Sequence, residues 1–502
     1  MLRWMIVGLL VLNSFACKMG PDYTRPETPE ADRWRMDQPT AESIANLPWW
    51  ELLQDRALQE LIKDSLQDNL DLRIAAANIE EYQAQLMIAK YDLVPSVSYK
   101  AAAFGFRNTN SNVFPIEGGA IPIGGSNDGL SLARESAEVG LKWEVDLWGR
   151  IRRSIEATRA QLLSREENQR GVVLGLVSNV AEAYFDLRGL DYEVEITKQT
   201  LQSWEESVRL SNLRFKQGSI PKLDLDRFEA ERAGTAAHLA DLERQVVQTE
   251  NRLSLLIGRK PAEIVRGVHL TKQVMPPSVP PGLPSDLLQR RPDILKAEQD
   301  LVAATATIGV AQATRFPQFA LTGAAGGAGF QTDGSSIGPF AIFKGSAVVT
   351  GPIFNASALG YQVKVTEAQA HAAVAQYKKT ILTAFKEVED ALIAIQKTGE
   401  QRSAQEQQVA SLQSAHELAD ARYQGGRASY LDVLTAQRTL FDAELALART
   451  RRAQLVSVVQ LYKALGGGWS STGSDDGAPS FGGDAAVTSK DRHTSELRGK
   501  TF

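Results

Sequence analysis

The chain has 502 residues, of which 43% are hydrophobic and 23% charged, so it can bury a sizeable core and is not a disordered protein. Its formal net charge of -5 leaves no surplus of Lys and Arg to neutralise phosphates, so nucleic acid is excluded as an expected partner. The single cysteine excludes an internal disulfide framework.

The N-terminus has the layout of a secretory signal peptide over residues 1–16. Arg3 precedes an apolar run at residues 4–12, which is too short to span a bilayer. Cys17 follows directly and has two interpretations: a bystander thiol in a discarded leader, or the acylated first residue of a mature lipoprotein. We favour the lipoprotein, because cysteine occurs nowhere else in the chain. Lys18 follows instead of an acidic residue, which favours delivery to the outer membrane.

A helix and two strands are predicted next, after a lipidated periplasmic segment at residues 17–57. The helix spans residues 58–92, and a strand over 96–107 replaces it just after a proline. Apolar and polar residues then alternate over a second strand at residues 133–147, which gives it one apolar face. A soluble half-buried strand shows the same pattern, but roughly nine to eleven such residues also suffice to span a bilayer. Gly, Asn and Ser at residues 108–132 predict an extracellular loop.

A long helical hairpin is predicted over residues 150–258. The first helix contains no proline, and apolar residues recur at every seventh position from Val173 to Phe215, which is the spacing of a coiled-coil seam. At 1.5 Å per residue, a helix of about 65 residues is about 100 Å long. A turn at Gly218 reverses the chain, and Gly258 ends the returning helix.

The second half of the chain repeats the first. The segment from Arg214 to Gly218 recurs about 208 residues later as Arg422 to Gly426, so Gly426 marks a second turn. The repeats are residues 58–265 and 285–466, and a proline-rich linker at 266–284 joins them. The second repeat is predicted to contain a helix, strands over 318–331 and 340–353, a short loop at 332–339 and a helical hairpin over 359–465. Residues 467–502, rich in Gly, Ser and Asp, are predicted to be disordered.

Four strands per chain cannot enclose a pore, and they would leave open sheet edges in lipid, where unpaired backbone groups are not tolerated. Three chains supply twelve strands and close the sheet. The predicted fold is therefore a membrane α+β protein. It is a trimer with a twelve-stranded β-barrel, four strands per chain, and long α-helical hairpins with coiled-coil spacing.

No catalytic site is predicted. The five histidines are scattered without metal-ligand spacing, and no Gly-rich loop precedes a helix in the phosphate-binding pattern. We therefore predict that the chain is not an enzyme and holds neither a metal nor a cofactor.

Several short motifs resemble those of one family. They are residues 20–26, the pair Trp49-Trp50, residues 69–72 (Asn-Leu-Asp-Leu), 146–150 (Asp-Leu-Trp-Gly-Arg), 290–294 (Arg-Arg-Pro-Asp-Ile) and 430–434 (Tyr-Leu-Asp-Val-Leu). Over about residues 17–465 the chain resembles the TolC-like outer-membrane factors, in particular the NodT-type lipoproteins that serve resistance-nodulation-division (RND) pumps. The resemblance implies a homotrimer in outer-membrane lipid whose β-barrel is continuous with a long α-helical coiled-coil barrel, a tunnel across the periplasm. It also implies two partners, a periplasmic adaptor and an inner-membrane RND pump. The function that it implies is a passive exit duct for small toxic compounds.

The resemblance assigns roles to the second helical tip. Asp432 matches a position whose carboxylates form a ring about the threefold axis, and such a ring constricts the tunnel and selects cations. Leu431 lies beside it, where some members narrow the tunnel with an apolar ring, and Tyr423 corresponds to a tyrosine that helps to hold the closed tips by hydrogen bonding. Gly426 and Arg427 belong to the turn on which the adaptor would dock.

The first tip has matching residues: Gly218 in the turn, and Asp224 and Asp226 in the helix after it. A plainer interpretation applies to all the acids, because a carboxylate in the first turn of a helix is stabilised by the macrodipole without any gate. Tyr423 continues the heptad seam, so core packing explains it equally well.

Two other functions fit the same pattern. A duct of this fold could export proteins in type I secretion, and a coiled-coil lipoprotein could have a structural role and no pore. The lipoprotein start favours small-molecule efflux over protein export.

Overall fold

The computed structural model describes residues 18–28, 34, 49–108, 113–116, 119–122, 130–275, 284–332 and 335–467. The predicted signal peptide, Cys17, part of the proline-rich linker and almost all of the predicted tail lie outside these residues.

Helices make up most of the described chain. They are α1 Trp49–Leu52, α2 Arg56–Asp68, α3 Leu70–Tyr91, α4 Arg150–Lys216, α5 Lys222–Leu256, α6 Leu287–Arg290, α7 Pro292–Ala313, α8 Ala356–Gln424 and α9 Tyr430–Ala464. Short 3-10 turns lie at Leu270–Lys272 and Pro284–Asp286. The longest helices, α4 and α8, have 67 and 69 residues, so each is about 100 Å long.

The strands form one large sheet and one small hairpin. They are β1 Ser96–Asn108, β2 Val113–Ile116, β3 Gly119–Pro122, β4 Leu130–Val145, β5 Gln318–Thr332 and β6 Ser335–Thr350. The large sheet has the order β1-β4-β5-β6 with every neighbouring pair antiparallel, and β2 pairs with β3. The predicted four long strands per chain are confirmed.

Three predicted boundaries are wrong. The predicted helix over 58–92 is two helices, because Asn69 is extended and its side chain caps α3 by accepting hydrogen bonds from the Asp71 and Leu72 amides at 2.8 and 3.1 Å. The predicted loop at 108–132 contains the β2–β3 hairpin. The predicted loop at 332–339 belongs largely to β6, which starts at Ser335 because a register shift opposite Ala328 and Phe330 accommodates Pro339. This strand ends at Thr350, not at residue 353.

The heptad seam of α4 is buried unevenly. Val180 and Leu187 are fully buried, whereas Phe215, near the tip, is partly exposed. In the companion stripe three residues further on, from Leu176 to Trp204, four of the five residues are buried and Leu190 is half-buried. The long helix therefore packs on the shorter returning helix over the half nearest the tip, and it reaches the main core around its middle.

That core lies where the two repeats meet around the middle of α4 and the ends of α9 and α5. Its fully buried members include Leu58, Phe185, Tyr377 and Val459. Asp55 lies fully buried in this region. Its carboxylate accepts hydrogen bonds from Tyr184 Oη at 2.7 Å, the Val268 amide at 3.1 Å and Gln273 Nε2 at 2.6 Å. Because a buried charge is tolerated only when it is fully hydrogen-bonded, this residue ties the N-terminal helices to the long hairpin.

The helices repeat the lateral order of the strands. α3 leads into β1, β4 leads into α4, α7 leads into β5, and β6 leads into α8. In the same order α3 packs on α4, α4 on α7, and α7 on α8. The described strands and helices thus form a wall with two lateral edges, one formed by α3 and β1 and the other by β6 and α8.

Candidate functional site

The large sheet has two faces of opposite chemistry. Directly paired residues share a face of a sheet, and the register places even-numbered residues opposite one another, as in Lys100 with Glu138 and Ala324 with Lys344. The odd face carries Val97, Tyr99, Val139, Leu141, Trp143, Val145, Phe319, Leu321, Phe343 and Val349. Among the described side chains of these strands, Glu135 is the one charged residue on that face.

The even face carries the remaining charged side chains that the structure describes in these strands. They are Lys100, Arg134, Glu138, Lys142, Glu144 and Lys344. Lys344 Nζ lies 3.0 Å from Glu138 Oε2, and the Thr322 and Ser346 hydroxyls lie 2.7 Å apart. One face of the wall can therefore contact hydrocarbon and the other water.

Both lateral edges of the wall expose apolar side chains. On α3 they include Leu70, Ile74, Ile88 and Tyr91, the last 67% exposed. On α8 they include Tyr361, also 67% exposed, and Leu382. The strands at the same edges, β1 and β6, each have one neighbour in the chain. Each edge thus has unsatisfied backbone groups beside an apolar helix surface, which is what a further copy of the chain can cover.

Two negative findings apply to the residues that the structure describes. None of their helices is both long and apolar enough to cross a bilayer. Their His, Cys, Asp and Glu side chains form no group of three or more that could hold a metal ion.

The two hairpin tips have the same backbone design. Gly218 and Gly426 adopt left-handed φ values of +71° and +67°, and in each turn the following amide returns to the helix: Ser219 donates to the Arg214 carbonyl at 2.9 Å, and Arg427 to the Arg422 carbonyl at 2.8 Å. These are Schellman turns, in which glycine avoids the Cβ penalty of a positive φ. The predicted tip glycines are therefore placed at the two reversals.

The acids after the two turns are bound differently. Asp432 is exposed and forms a capping box, because its Oδ2 accepts hydrogen bonds from both the amide and the hydroxyl of Ser429 at 2.9 Å. At the equivalent place in the first tip stands Pro221, which has no donor, so Asp224 pairs with Arg227 at 3.5 Å instead. Asp226 lies 3.4 Å from Lys222 Nζ on the exposed side of α5. Asp432 thus caps the helix, and its exposure leaves the carboxylate accessible.

A contact that the sequence did not indicate joins the two tips. Arg214 Nη1 at the end of α4 donates a hydrogen bond to Tyr423 Oη at the end of α8 at 2.6 Å, and the guanidinium carbon lies 5.0 Å from the centre of the Tyr423 ring. Tyr423 in turn lies against Tyr430, whose ring centre is 5.9 Å away. The predicted hydrogen-bonding role of Tyr423 thus has a partner within its own chain.

A small aromatic core lies directly behind this contact. It contains Trp204, Phe228, Tyr430 and Leu434, and the Phe228 and Tyr430 ring centres are 3.8 Å apart. Burial raises the pKa of the Tyr430 hydroxyl. Unlike the residues of this aromatic core, Leu431, which is predicted to form an apolar ring, is 51% exposed, and Arg427 is also exposed. The tip therefore has a packed base and an open rim.

The segment that follows Cys17 is fixed to the junction of helices and sheet. The Met19 amide donates to the Trp148 carbonyl at 3.2 Å, and the buried Arg153 donates to the Met19 and Gly20 carbonyls at 2.8 and 2.9 Å. A Cβ on Gly20 would lie 2.4 Å from the Cα of Gly309, so the two glycines allow the segment to cross α7. Residue 18, the neighbour of the cysteine, therefore lies beside the start of α4, where the sheet ends.

Comparison with known proteins gives consistent matches. A family model described as outer membrane efflux protein matches residues 61–259 and 283–467. The chain is 37% identical over 463 residues to the toluene efflux pump outer membrane protein TtgC of Pseudomonas putida, which covers 90% of this chain and 93% of that protein. It is 31% identical over 468 residues to the cation efflux system protein CusC of Escherichia coli, which covers 90% and 96%. The solved structure of the outer-membrane channel OprN is similar with a TM-score of 0.79 and 29% identity, over 90% of this chain and 100% of that one.

Proposed function

The chain belongs to the outer membrane efflux protein family, and on that premise we propose that it is the outer-membrane duct of a tripartite efflux pump. Three copies close into one tube, of which the sheet crosses the outer membrane and the helices extend into the periplasm. A periplasmic adaptor and an inner-membrane pump complete the path. The duct itself supplies no energy.

This proposal rests on one observation: the sheet has one apolar and one charged face, and both of its edge strands lack a neighbour within the chain. A sheet with an apolar odd face and a charged even face suits a wall between lipid and water. Its open edges require closure, because lipid offers no hydrogen-bond partner to unpaired backbone groups. Closure by three chains satisfies both edges and encloses the even face as the lumen.

The exported compounds are proposed only as a class. One relative is named for toluene and another for cations, so one architecture serves solutes with no common chemistry. We infer that the pump selects the solute and that this duct passes small toxic compounds. The efflux names of both relatives favour this function over type I protein secretion or a poreless structural lipoprotein.

The tips are proposed as the gate. Asp432 and Leu431 form the constricting rim, and Asp224 and Asp226 add negative charge beneath the first turn. Tyr423 holds the tips through Arg214. The turns at Gly218 and Gly426, with Arg427, are the surface on which the adaptor docks. Exposure of the rim residues and burial of the aromatic core behind them support this division.

Cys17 is proposed to carry the lipid anchor. The docked residues 18–28 start beside Trp148, at the inner end of the sheet, where an acyl chain on the preceding residue could reach the inner leaflet of the outer membrane. The anchor would then assist the sheet in fixing the height of the tube.

Two neighbouring alanines in the middle of β1 test the duct. Ala101 lies on the odd face and Ala102 on the even face, opposite Ala137 and Ser136. Ala101→Lys places a charge in lipid, at a cost of about 2–4 kcal/mol per chain near the bilayer midplane, whereas Ala102→Lys places it in the lumen. We expect the first variant, in a deletion strain, to lose outer-membrane trimers and resistance to toxic compounds.

Ala102→Lys is the matched control, because it adds the same side chain one residue away, and we expect it to keep both trimers and resistance. If the two variants behave alike, the odd face does not contact lipid and the duct is refuted. If the deletion changes no sensitivity profile with any pump, the efflux function is refuted even where trimers form.

A further inference from the structure

The even face of the sheet changes character at its outer end, away from the helices. Its described aromatic residues are Phe104, Phe330 and Phe340, all in the outer half of their strands. Nearer the helices the same face carries Lys100, Glu138, Lys142 and Thr322 instead. The three phenylalanines therefore form an aromatic band on a face whose other described residues are charged, polar, small or aliphatic.

The strand register brings these rings together around one arginine. Arg134 on β4 is directly opposite Phe104 on one side and Phe330 on the other. Its guanidinium carbon lies 5.5 Å from the centre of the Phe330 ring, and the Phe330 and Phe340 rings stack with centres 5.8 Å apart. The bulge between Ala328 and Phe330 lets β6 bring Phe340 beside its neighbour. We call these four residues the mouth cluster.

The cluster is exposed, and among the described side chains its positive charge has no ion-pair partner. Phe104 is 59% and Phe340 43% exposed, and Arg134 is exposed as well. The two acids on the even face are engaged elsewhere, Glu138 with Lys344 at 3.0 Å and Glu144 with Arg150 at 2.9 Å. Within the described side chains Arg134 has no ion pair. Flat apolar surface and an unpaired cation thus stand side by side.

We propose that the mouth cluster is a binding site for aromatic anions at the outer end of the duct. The ring of such a solute packs against the phenylalanines, and its carboxylate or sulfonate pairs with the guanidinium of Arg134. An uncharged ring would gain only the first interaction, and a small inorganic anion only the second. The site rests on the proposed function, because it requires the even face to line the lumen.

Single-trimer conductance in planar bilayers tests the site with three probes added from the outer side. They are 1-naphthalenesulfonate, naphthalene and methanesulfonate, so that ring and charge are separated. We expect 1-naphthalenesulfonate to reduce the current at the lowest concentration. Arg134→Gln should raise its half-blocking concentration about fivefold to tenfold, and Phe330→Leu about threefold.

Lys142→Gln is the matched control. Lys142 is an exposed cation on the same strand and face, about 26 Å further along, and faces Ser96 and Thr322 instead of phenylalanines. We expect it to leave the half-blocking concentration unchanged. Equal block by all three probes, or an equal effect of Arg134→Gln and Lys142→Gln, overturns the site.

Equilibrium dialysis of 1-naphthalenesulfonate against detergent-solubilised trimer separates this proposal from the duct. Dialysis measures binding without any ion current. If the protein conducts no ions, the duct is refuted, but dialysis still shows whether the mouth cluster binds the probe. Stronger binding to the unchanged protein than to Arg134→Gln supports the site. Equal binding to both refutes it.

Discussion

In the proposed gate, the hydrogen bond between Arg214 and Tyr423 stabilises the closed tips, so its loss should favour the open tips. A hydrogen bond from a charged donor contributes about 1.5–3 kcal/mol, and the guanidinium over the ring adds about 0.5–1 kcal/mol at an exposed site. Tyr423→Phe removes the first contribution and keeps the second. Because about 1.4 kcal/mol is a factor of ten in an equilibrium constant, we expect at least a tenfold shift toward the open tip in each chain.

Single-trimer conductance measures this shift as open probability, and sensitivity to a large hydrophilic antibiotic measures it in cells. Arg214→Met removes both contributions and should open the tip further than Tyr423→Phe. The matched control is Arg422→Met, which removes the equivalent and exposed arginine of the second repeat. If Tyr423→Phe conducts like the unchanged protein, the hydrogen bond does not hold the gate. If Arg422→Met opens the tip equally, tip charge explains the effect and the contact does not.

Two further predictions concern the gate and the anchor. Asp432→Asn should lower the cation preference of the conductance, which is measured as a shift of the reversal potential. Ser429→Ala loses part of the capping box but keeps the carboxylate, so it should not cause this shift. The same shift in both variants would assign the effect to the cap. Mass spectrometry of the mature protein should find acyl chains on Cys17 and none on Cys17→Ser, and an unmodified cysteine in the unchanged protein would contradict the lipid anchor.

The features that the sequence could predict are those with a local period or a local backbone requirement. Seven-residue spacing indicated the hairpins, and glycine at a left-handed position indicated both tip turns. Alternation along β4 indicated the two sheet faces. Successive residues of a strand point to opposite faces, so the face of one residue determines the faces of all the others.

The features that the sequence does not predict depend on contacts between residues distant in the chain, or on local irregularities such as a side-chain cap or a bulge. The sequence singles out Tyr423, but its partner Arg214 is 209 residues away, and no local pattern pairs the two residues. The break at Asn69 was hidden because the apolar pattern continues across it, although an Asn before a helical run is a capping signal that could have revealed it. The proline in β6 suggested a loop because bulges have no simple sequence period.

The two tip turns have nearly identical backbones but different side chains, since Ser429 and its capping box correspond to Pro221 in the first repeat. In a threefold assembly they alternate around the rim, which gives six landing places. A partner that recognises backbone shape would meet pseudo-sixfold symmetry there, and one that recognises side chains would meet threefold symmetry. On the proposed docking surface, an adaptor that recognises the backbone would therefore find six places and one that recognises side chains would find three, without any change of fold.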